Sequence, residues 1–125
     1  MEATVYGQEV LLDLHDCDAN KFTRHAIEQF FTELCELIDM ERCDLHFWDD
    51  VGVPEEEQQA HPKTKGTSAV QFILTSTIVI HTLELMKAAY VNIFSCKAFD
   101  TDEAAKFTAS WFGSKDWTSN VVTRR

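Results

Sequence analysis

The segment "GTSAVQFILTSTIVIHTLEL", residues 66–85, is the feature that most constrains the fold of this chain. It is mostly β-branched and apolar, a composition that is typical of buried strands. We predict one strand over residues 67–74 and a second over residues 77–83. A third follows over residues 88–96, "AAYVNIFSC". The connections between the three are short, which indicates two successive hairpins.

Two helices are predicted from apolar residues that recur every three or four positions. The second helix lies within residues 99–113, where Asp100 and Glu103 form a variant of the capping box and Gly113 ends the helix. The first and longer helix spans residues 20–42. Its apolar face consists of Phe22, Ala26, Ile27, Phe30, Phe31, Leu34, Leu37 and Ile38.

The remaining elements complete a predicted α+β fold. Residues 5–14 and 43–49 are expected to be strands, and residues 117–122 are a candidate edge strand. This order of elements predicts a two-layer α/β sandwich, in which two helices cover one face of one mainly antiparallel sheet. The length favours a single domain over residues 1–125. Residues 49–66 hold both prolines and a run of three glutamates, so they are predicted to form a mobile surface loop.

Composition restricts the classes of partner. Eleven Lys and Arg against twenty-one Asp and Glu give a formal net charge of -10, which argues against nucleic acid and anionic membranes as partners. No apolar run approaches the roughly 20 residues that span a bilayer. The first ten residues, "MEATVYGQEV", are acidic and lack the layout of a signal peptide. The expectation is a cytoplasmic protein.

The cysteines and histidines do not indicate a metal centre. No two ligand-type side chains have zinc-finger spacing, so no metal is predicted. In a cytoplasmic chain the cysteines are expected to be reduced. The four cysteines are Cys17, Cys35, Cys43 and Cys96.

Four polar residues of the strands could carry chemistry. In the first hairpin, whose tip is predicted near Thr75–Thr77, Ser68 and His81 lie on facing strands. In the second hairpin, Cys96 returns opposite Ser76. At about 3.3 Å per residue, His81 lies roughly 16 Å along the strand from Ser76. One subunit therefore cannot bring His81 onto Ser76.

These four residues and their spacing resemble a known family. The pattern Ser68–x7–Ser76–x4–His81, followed by Cys96 in "NIFSC", is similar to the small prokaryotic type of S-adenosylmethionine decarboxylase. Those enzymes carry a glycine–x–serine segment and then Glu-Ser-His-x-x-x-His-Thr-Trp-Pro-Glu and Asp-x-Phe-Thr-Cys. The early "LLDLHDCDA" also resembles their first strand and the turn that follows it.

The resemblance implies a self-processing enzyme. The scissile bond would be Thr75–Ser76, and Ser76 would become a pyruvoyl cofactor that forms a Schiff base with the substrate amine. Ser68 and His81 would act in processing, and Cys96 would protonate the product carbon. The implied reaction is decarboxylation of S-adenosylmethionine, which supplies the aminopropyl donor for polyamine biosynthesis.

The sequence also departs from the family pattern. Thr75 replaces the glutamate that precedes the serine, and Thr77 replaces the histidine that follows it. The family's Trp-Pro-Glu is Leu-Glu-Leu here, which leaves Glu84 as the candidate that holds the ribose hydroxyls. Phe47 and Trp48 are candidates for stacking on adenine. Because the substrate residues depart most, a pyruvoyl-dependent decarboxylase of arginine or ornithine, or an unprocessed non-catalytic paralogue that binds a ligand or partner, stays open.

Assembly follows from the distance between the two halves of the implied site. Related enzymes bring processing residues from one half of a two-fold assembly to the serine of the other half. We therefore predict a homodimer in which Ser76 and Cys96 of one chain face Ser68 and His81 of the other.

Overall fold

The computed structural model describes residues 5–125, so residues 1–4 of the predicted domain lie outside the described part. Short 3-10 turns occur at Ala19–Lys21 and Glu55–Glu57. The main elements in chain order are β1 (Gly7–His15), α1 (Arg24–Leu37), β2 (Arg42–Trp48), β3 (Gly66–Ile73), β4 (Ser76–Leu83), β5 (Ala88–Ser95), α2 (Thr101–Trp111) and β6 (Asp116–Arg124).

All six strands form one sheet in the order β2-β3-β4-β5-β1-β6, and each neighbouring pair is antiparallel. Strands β3, β4 and β5 are the two successive hairpins that the β-branched segment predicts. Strand β1 then lies beside β5, although most of the chain separates them in sequence. The predicted α+β fold, a two-layer sandwich with one antiparallel sheet, is confirmed.

Both helices pack against one face of the sheet, and the core lies between the two layers. Phe30 of α1 is fully buried and contacts the rings of Phe31, Phe107, Trp111 and Phe112 at centroid distances of 5.0–6.4 Å. Alternate strand residues such as Ile78 and Ile80 point into this core. The residues between them, such as Val79 and His81, point to the other side, which we call the open face.

The first helix is shorter than the predicted range of residues 20–42. Thr23 caps the helix, because its Oγ1 accepts the backbone N–H of Ala26 at 3.1 Å. At the other end the helix stops after Leu37: Ile38 is the C-cap, and Asp39 adopts a left-handed φ of 57°. Since Phe22, Ile38 and Met40 are buried outside the helix, the apolar pattern extends beyond the helical residues.

The second helix begins and ends as its capping residues predict. Asp100 accepts the backbone N–H of Glu103 at 3.0 Å through Oδ1, and Gly113 has a φ of 62°. The last strand is longer than the predicted residues 117–122, because β6 pairs with β1 from end to end. The tip of the first hairpin is Leu74–Thr75, so Ser76 is the first residue of β4 and not part of the tip.

No helix within residues 5–125 is long and apolar enough to cross a membrane. The cytoplasmic location stays a prediction.

The mobility of residues 49–66 also stays a prediction, and both ends of the loop make specific contacts. Arg24 forms a bidentate ion pair with Asp49, at 2.6 and 2.7 Å, and the backbone N–H of Glu84 donates to the carbonyl of Lys65. The hydrogen bond from Arg24 holds the pKa of Asp49 below its usual range.

The cap of α1 gives a first test of this fold. Thr23→Ala removes the acceptor for the Ala26 N–H and is expected to lower the free energy of unfolding by about 1 kcal/mol. Urea denaturation followed by circular dichroism measures the change. Thr23→Ser is the matched control, because it keeps the hydroxyl and is expected to stay within a few tenths of a kcal/mol of the parent. An equal loss in both variants would contradict the capping role.

Candidate active site

Ser68 and His81 form a hydrogen-bonded pair on the open face. They are directly opposite each other in the β3–β4 register, and Ser68 Oγ lies 2.7 Å from His81 Nδ1. The pair borders a cavity of about 330 Å³. The sequence places these two side chains together through the hairpin alone, because residues directly opposite on antiparallel strands have neighbouring side chains.

The cavity beside this pair has a second wall from a part of the chain that sequence reasoning did not place there. Gln59, Lys63 and Thr64 of the 49–66 loop line the cavity together with Trp48. The loop is therefore folded over the Ser68–His81 end of the sheet. Such a position depends on loop conformation, which the composition of residues 49–66 does not define.

Ser76 and Cys96 form a second cluster, at the opposite end of β4. The backbone N–H of Cys96 donates to Ser76 Oγ at 3.1 Å, and Ser76 Oγ lies 4.0 Å from Cys96 Sγ. The hydroxyl of Thr75 is 3.5 Å from the same sulfur. Ser76 is only 6% exposed. Both residues of the predicted scissile bond are thus in contact with the predicted proton donor.

Hydrogen bonds to the sulfur lower the pKa of the Cys96 thiol. The hydroxyl of Thr75 makes the largest contribution to this lowering, desolvation opposes it as the second-largest effect, and the hydroxyls of Ser76 and Tyr6 add smaller lowering contributions. A hydrogen bond that favours the thiolate lowers a thiol pKa. The other cysteines differ from Cys96. Cys17 and Cys35 are buried, and burial raises the pKa of Cys35 to about 11.

Tyr6 and Gly7 are site residues that sequence reasoning missed. They line a cavity of about 390 Å³ together with Cys96. A Cβ on Gly7 would lie 2.1 Å from the carbonyl oxygen of Ser95, so only glycine lets β1 approach the end of β5 this closely. A glycine inside a strand pattern is typical of such close approach, and that signal could have identified this position.

The two clusters do not meet within one subunit. Ser76 and His81 lie on the same strand five residues apart, roughly 16 Å when extended. They also lie on opposite faces, because Ser76 is buried with Ile78 and Ile80 on the core side and His81 is exposed on the open face. The separation that the sequence predicts is present in the structure.

The candidate substrate-binding residues are placed separately. The ring of Phe47 is partly buried against the core, with the Arg24 guanidinium 5.5 Å from its centroid, whereas Trp48 is exposed beside Ser68. Glu84 follows β4 and lies 3.9 Å from the Lys65 ammonium. The binding roles of Phe47 and Glu84 stay predictions. Within the described residues, no group of three His, Cys, Asp or Glu side chains could hold a metal ion.

A two-layer α+β sandwich with one antiparallel sheet is the structural class of this chain, and a solved structure shares it. The crystal structure of the adenosylmethionine decarboxylase from Aquifex aeolicus VF5 superposes with a TM-score of 0.76. The superposition covers 98% of this chain and 92% of that chain. The two sequences are 19% identical, so this likeness shows the fold.

Sequence comparison then assigns the family. Residues 8–125 match the family model described as S-adenosylmethionine decarboxylase. The S-adenosylmethionine decarboxylase proenzyme of Saccharolobus islandicus is 31% identical over 123 residues, which cover 96% of this chain and 89% of the relative. That of Saccharolobus solfataricus is 28% identical, with coverage of 96% and 88%. The chain belongs to the S-adenosylmethionine decarboxylase family, which confirms the resemblance of its motifs.

Proposed function

We propose that this chain is a self-processing, pyruvoyl-dependent decarboxylase of S-adenosylmethionine. The observation that carries the proposal is the contact of Ser76 and Thr75 with the Cys96 thiol. Family membership supports the reaction, and relatives that are named proenzymes support the processing. The product would be the aminopropyl donor for polyamine biosynthesis.

The residues around Ser76 fit the formation of a pyruvoyl group. Ser76 provides the hydroxyl nucleophile and the carbon skeleton, and Thr75 provides the carbonyl that precedes it. The Cys96 N–H already donates to Ser76 Oγ, which orients the hydroxyl. When formed, the pyruvoyl carbonyl would supply a sink for the electron pair that remains on the substrate carbon when the carboxylate departs.

Processing is proposed to proceed in successive steps at the Thr75–Ser76 bond. Ser76 Oγ bonds to the Thr75 carbonyl carbon, the peptide C–N bond breaks, and the acyl group moves from nitrogen to oxygen. Loss of the Ser76 Cα proton then expels Thr75 as a free carboxylate and leaves a Cα–Cβ double bond. Uptake of one water and release of one ammonia complete the pyruvoyl group. The chain is cut into residues 1–75 and 76–125.

The partner subunit's Ser68 and the partner subunit's His81 are proposed to assist this cleavage. Within one chain His81 is too far from Ser76, so the proposal includes a homodimer whose sites are shared at the end of β4, where Ser76 begins the strand. Exposed apolar side chains on the open face support its use as the interface: Leu11 is 39% exposed and Phe72 44%.

Cys96 is proposed to hold the proton that replaces the carboxylate on the product carbon. A thiol can donate only in its protonated form, and the pKa of Cys96 lies below its usual value. The proton is present below that pKa and lost as the pH rises through it. The decarboxylation step is therefore expected to slow at the alkaline side of the pH profile.

Family membership favours S-adenosylmethionine over arginine or ornithine as the substrate. The contacts of Cys96 with Thr75 and Ser76 favour a processed enzyme over a non-catalytic paralogue. A small-molecule substrate also agrees with the chain's net charge of -10, which argues against nucleic acid and anionic membranes as partners.

The reaction can be tested with substrates that carry a labelled carboxylate. We expect the purified protein to release labelled carbon dioxide from S-adenosylmethionine and not from arginine or ornithine. Ser76→Ala is the control, because it keeps the fold but cannot form the pyruvoyl group. If labelled carbon dioxide came only from arginine or ornithine, the protein would be a decarboxylase of that amino acid instead. No release from any of the three by fully cleaved protein would contradict the decarboxylase proposal.

A further inference from the structure

We propose that Lys97 is a positioning residue for the Cys96 thiol, and that its ion pair with Asp39 holds the chain around Cys96 after the protein has been cleaved. This inference rests on the proposed function, because it concerns the same proton donor. Cys96 lies just past the last residue of β5, so the pairing of the sheet ends before it. The position of the thiol therefore depends on contacts of the segment that follows the strand.

The Lys97 ammonium binds two oxygen atoms of Asp39, which lies far away in sequence. Lys97 Nζ donates to the backbone carbonyl of Asp39 and, at 2.9 Å, to its carboxylate Oδ2. The backbone N–H of Lys97 also donates to Ser95 Oγ at 2.9 Å. That second contact joins near neighbours and defines only the local turn, whereas the contact with Asp39 ties the segment to another element.

Asp39 belongs to a turn that is bonded to α1 on one side and to the first hairpin on the other. The backbone N–H of Met40 donates to the Cys35 carbonyl at 2.8 Å, and Met40 is buried in the core. The carbonyl of Glu41 accepts the backbone N–H of Leu74, in the hairpin tip, at 3.2 Å. The same turn therefore contacts the hairpin tip and, through Asp39, the segment after β5.

Cleavage changes the hydrogen bonds that Cys96 itself makes. In the uncut chain its backbone N–H donates to Ser76 Oγ at 3.1 Å, and its sulfur lies 3.5 Å from the Thr75 hydroxyl. In the proposed reaction the Ser76 oxygen becomes part of the Thr75 carboxylate, which is a free chain end. Lys97 and Asp39 take no part in that reaction, so their contact keeps its chemical form.

The segment that Lys97 holds also borders the cavity at this end of the sheet. Cys96 and Ala98, on either side of Lys97, both line the cavity of about 390 Å³. A shift of the segment would therefore move the thiol and the cavity wall together. Misplacement of a reacting group by about 1 Å can slow a reaction roughly a hundredfold. Because the paired side chains are 51% and 94% exposed, they contribute little to the free energy of unfolding, so the effect on rate should exceed the effect on stability.

Hydrogen exchange of the uncut Ser76→Ala protein tests the contact without any catalytic step. This variant lacks the oxygen that accepts the Cys96 N–H, as the cleaved protein does. Adding Lys97→Met is expected to raise the exchange rates of the backbone amides of residues 96–98 roughly three- to tenfold. Mass spectrometry of a peptide that contains Cys96 measures the change. Exchange that is the same with and without the Lys97 ammonium would overturn the inference.

Steady-state kinetics of the cleaved protein test whether the contact matters for the reaction. Lys97→Met is expected to lower kcat for S-adenosylmethionine roughly three- to tenfold and to change KM by about twofold at most, because the thiol acts on substrate that is already bound. Lys97→Arg keeps a cation and is expected to retain about half or more of the parent kcat. An unchanged kcat in Lys97→Met, or an equal loss in Lys97→Arg, would also overturn the inference.

Lys106→Met is the matched control for both measurements. Lys106 pairs with Asp102 on α2, where both side chains are exposed and the N–O distance is also 2.9 Å. This variant should leave the exchange near Cys96 and the kcat unchanged, and equal effects in both lysine variants would contradict a role specific to Lys97. If the parent protein does not cleave, or cleaves without decarboxylating S-adenosylmethionine, the proposed function fails separately. The contact is then judged on hydrogen exchange alone.

Discussion

Ser76→Ala is expected to yield a single uncut chain, whereas the parent protein yields two fragments, residues 1–75 and 76–125. Without the hydroxyl, no oxygen can attack the Thr75 carbonyl, so the loss of cleavage should be complete. The pyruvoyl group then cannot form, and decarboxylation should fall to background. Intact mass spectrometry of both purified proteins measures cleavage directly, and the fragment that begins at position 76 should be lighter by one ammonia than the same fragment with an unmodified N-terminal serine.

A neighbouring serine provides the control for this result. Ser95 is 1% exposed and ends β5 beside the site, where its hydroxyl accepts the backbone N–H of Lys97 at 2.9 Å. Ser95→Ala therefore perturbs the same region without touching the nucleophile, and cleavage is expected to persist. A parent protein that stays uncut under all conditions, or cleavage in Ser76→Ala, would contradict the assignment of Ser76.

Elements defined by local chemistry could be predicted from the sequence. The start of α2 depends on Asp100 and Glu103, three residues apart, and its end on Gly113, so local residues determine both. The ends of α1 were wrong, because Phe22 and Met40 are buried by tertiary packing outside the helix and continue its apolar pattern. Apolar periodicity reports burial, and burial can extend beyond the hydrogen-bonded helix.

The site shows the same division between local and distant contacts. Ser68 meets His81, and Ser76 meets Cys96, because each pair lies on strands joined by a short turn. Tyr6 approaches Cys96 only because β1 inserts between β5 and β6. Strand order at such sequence separation depends on the packing of the whole sheet, and no spacing rule within the chain defines it.

The second prediction concerns the shared site of the proposed homodimer. His81→Ala alone should stay uncut, because both sites of its dimer lack the imidazole. Coexpression with Ser76→Ala should restore cleavage of the His81→Ala chain. In a mixed dimer that chain keeps its own Ser76, Thr75 and Cys96, and the Ser76→Ala chain supplies the partner subunit's His81. Different affinity tags allow mixed dimers to be isolated, and intact mass spectrometry then identifies which chain is cut.

The shared site also predicts that only one of the two chains in the mixed dimer is cut. Cleavage that did not depend on a shared site would not give this asymmetry. In the mixed dimer one site is complete and the other lacks both Ser76 and His81, so only the His81→Ala chain can be cut. A matched control coexpresses His81→Ala with a chain that carries both substitutions, and this pair should show no rescue. Isolated mixed dimers whose His81→Ala chain remains intact would refute the shared site. Cleavage of His81→Ala by itself would do so too, because Ser76 would then need no imidazole from its partner.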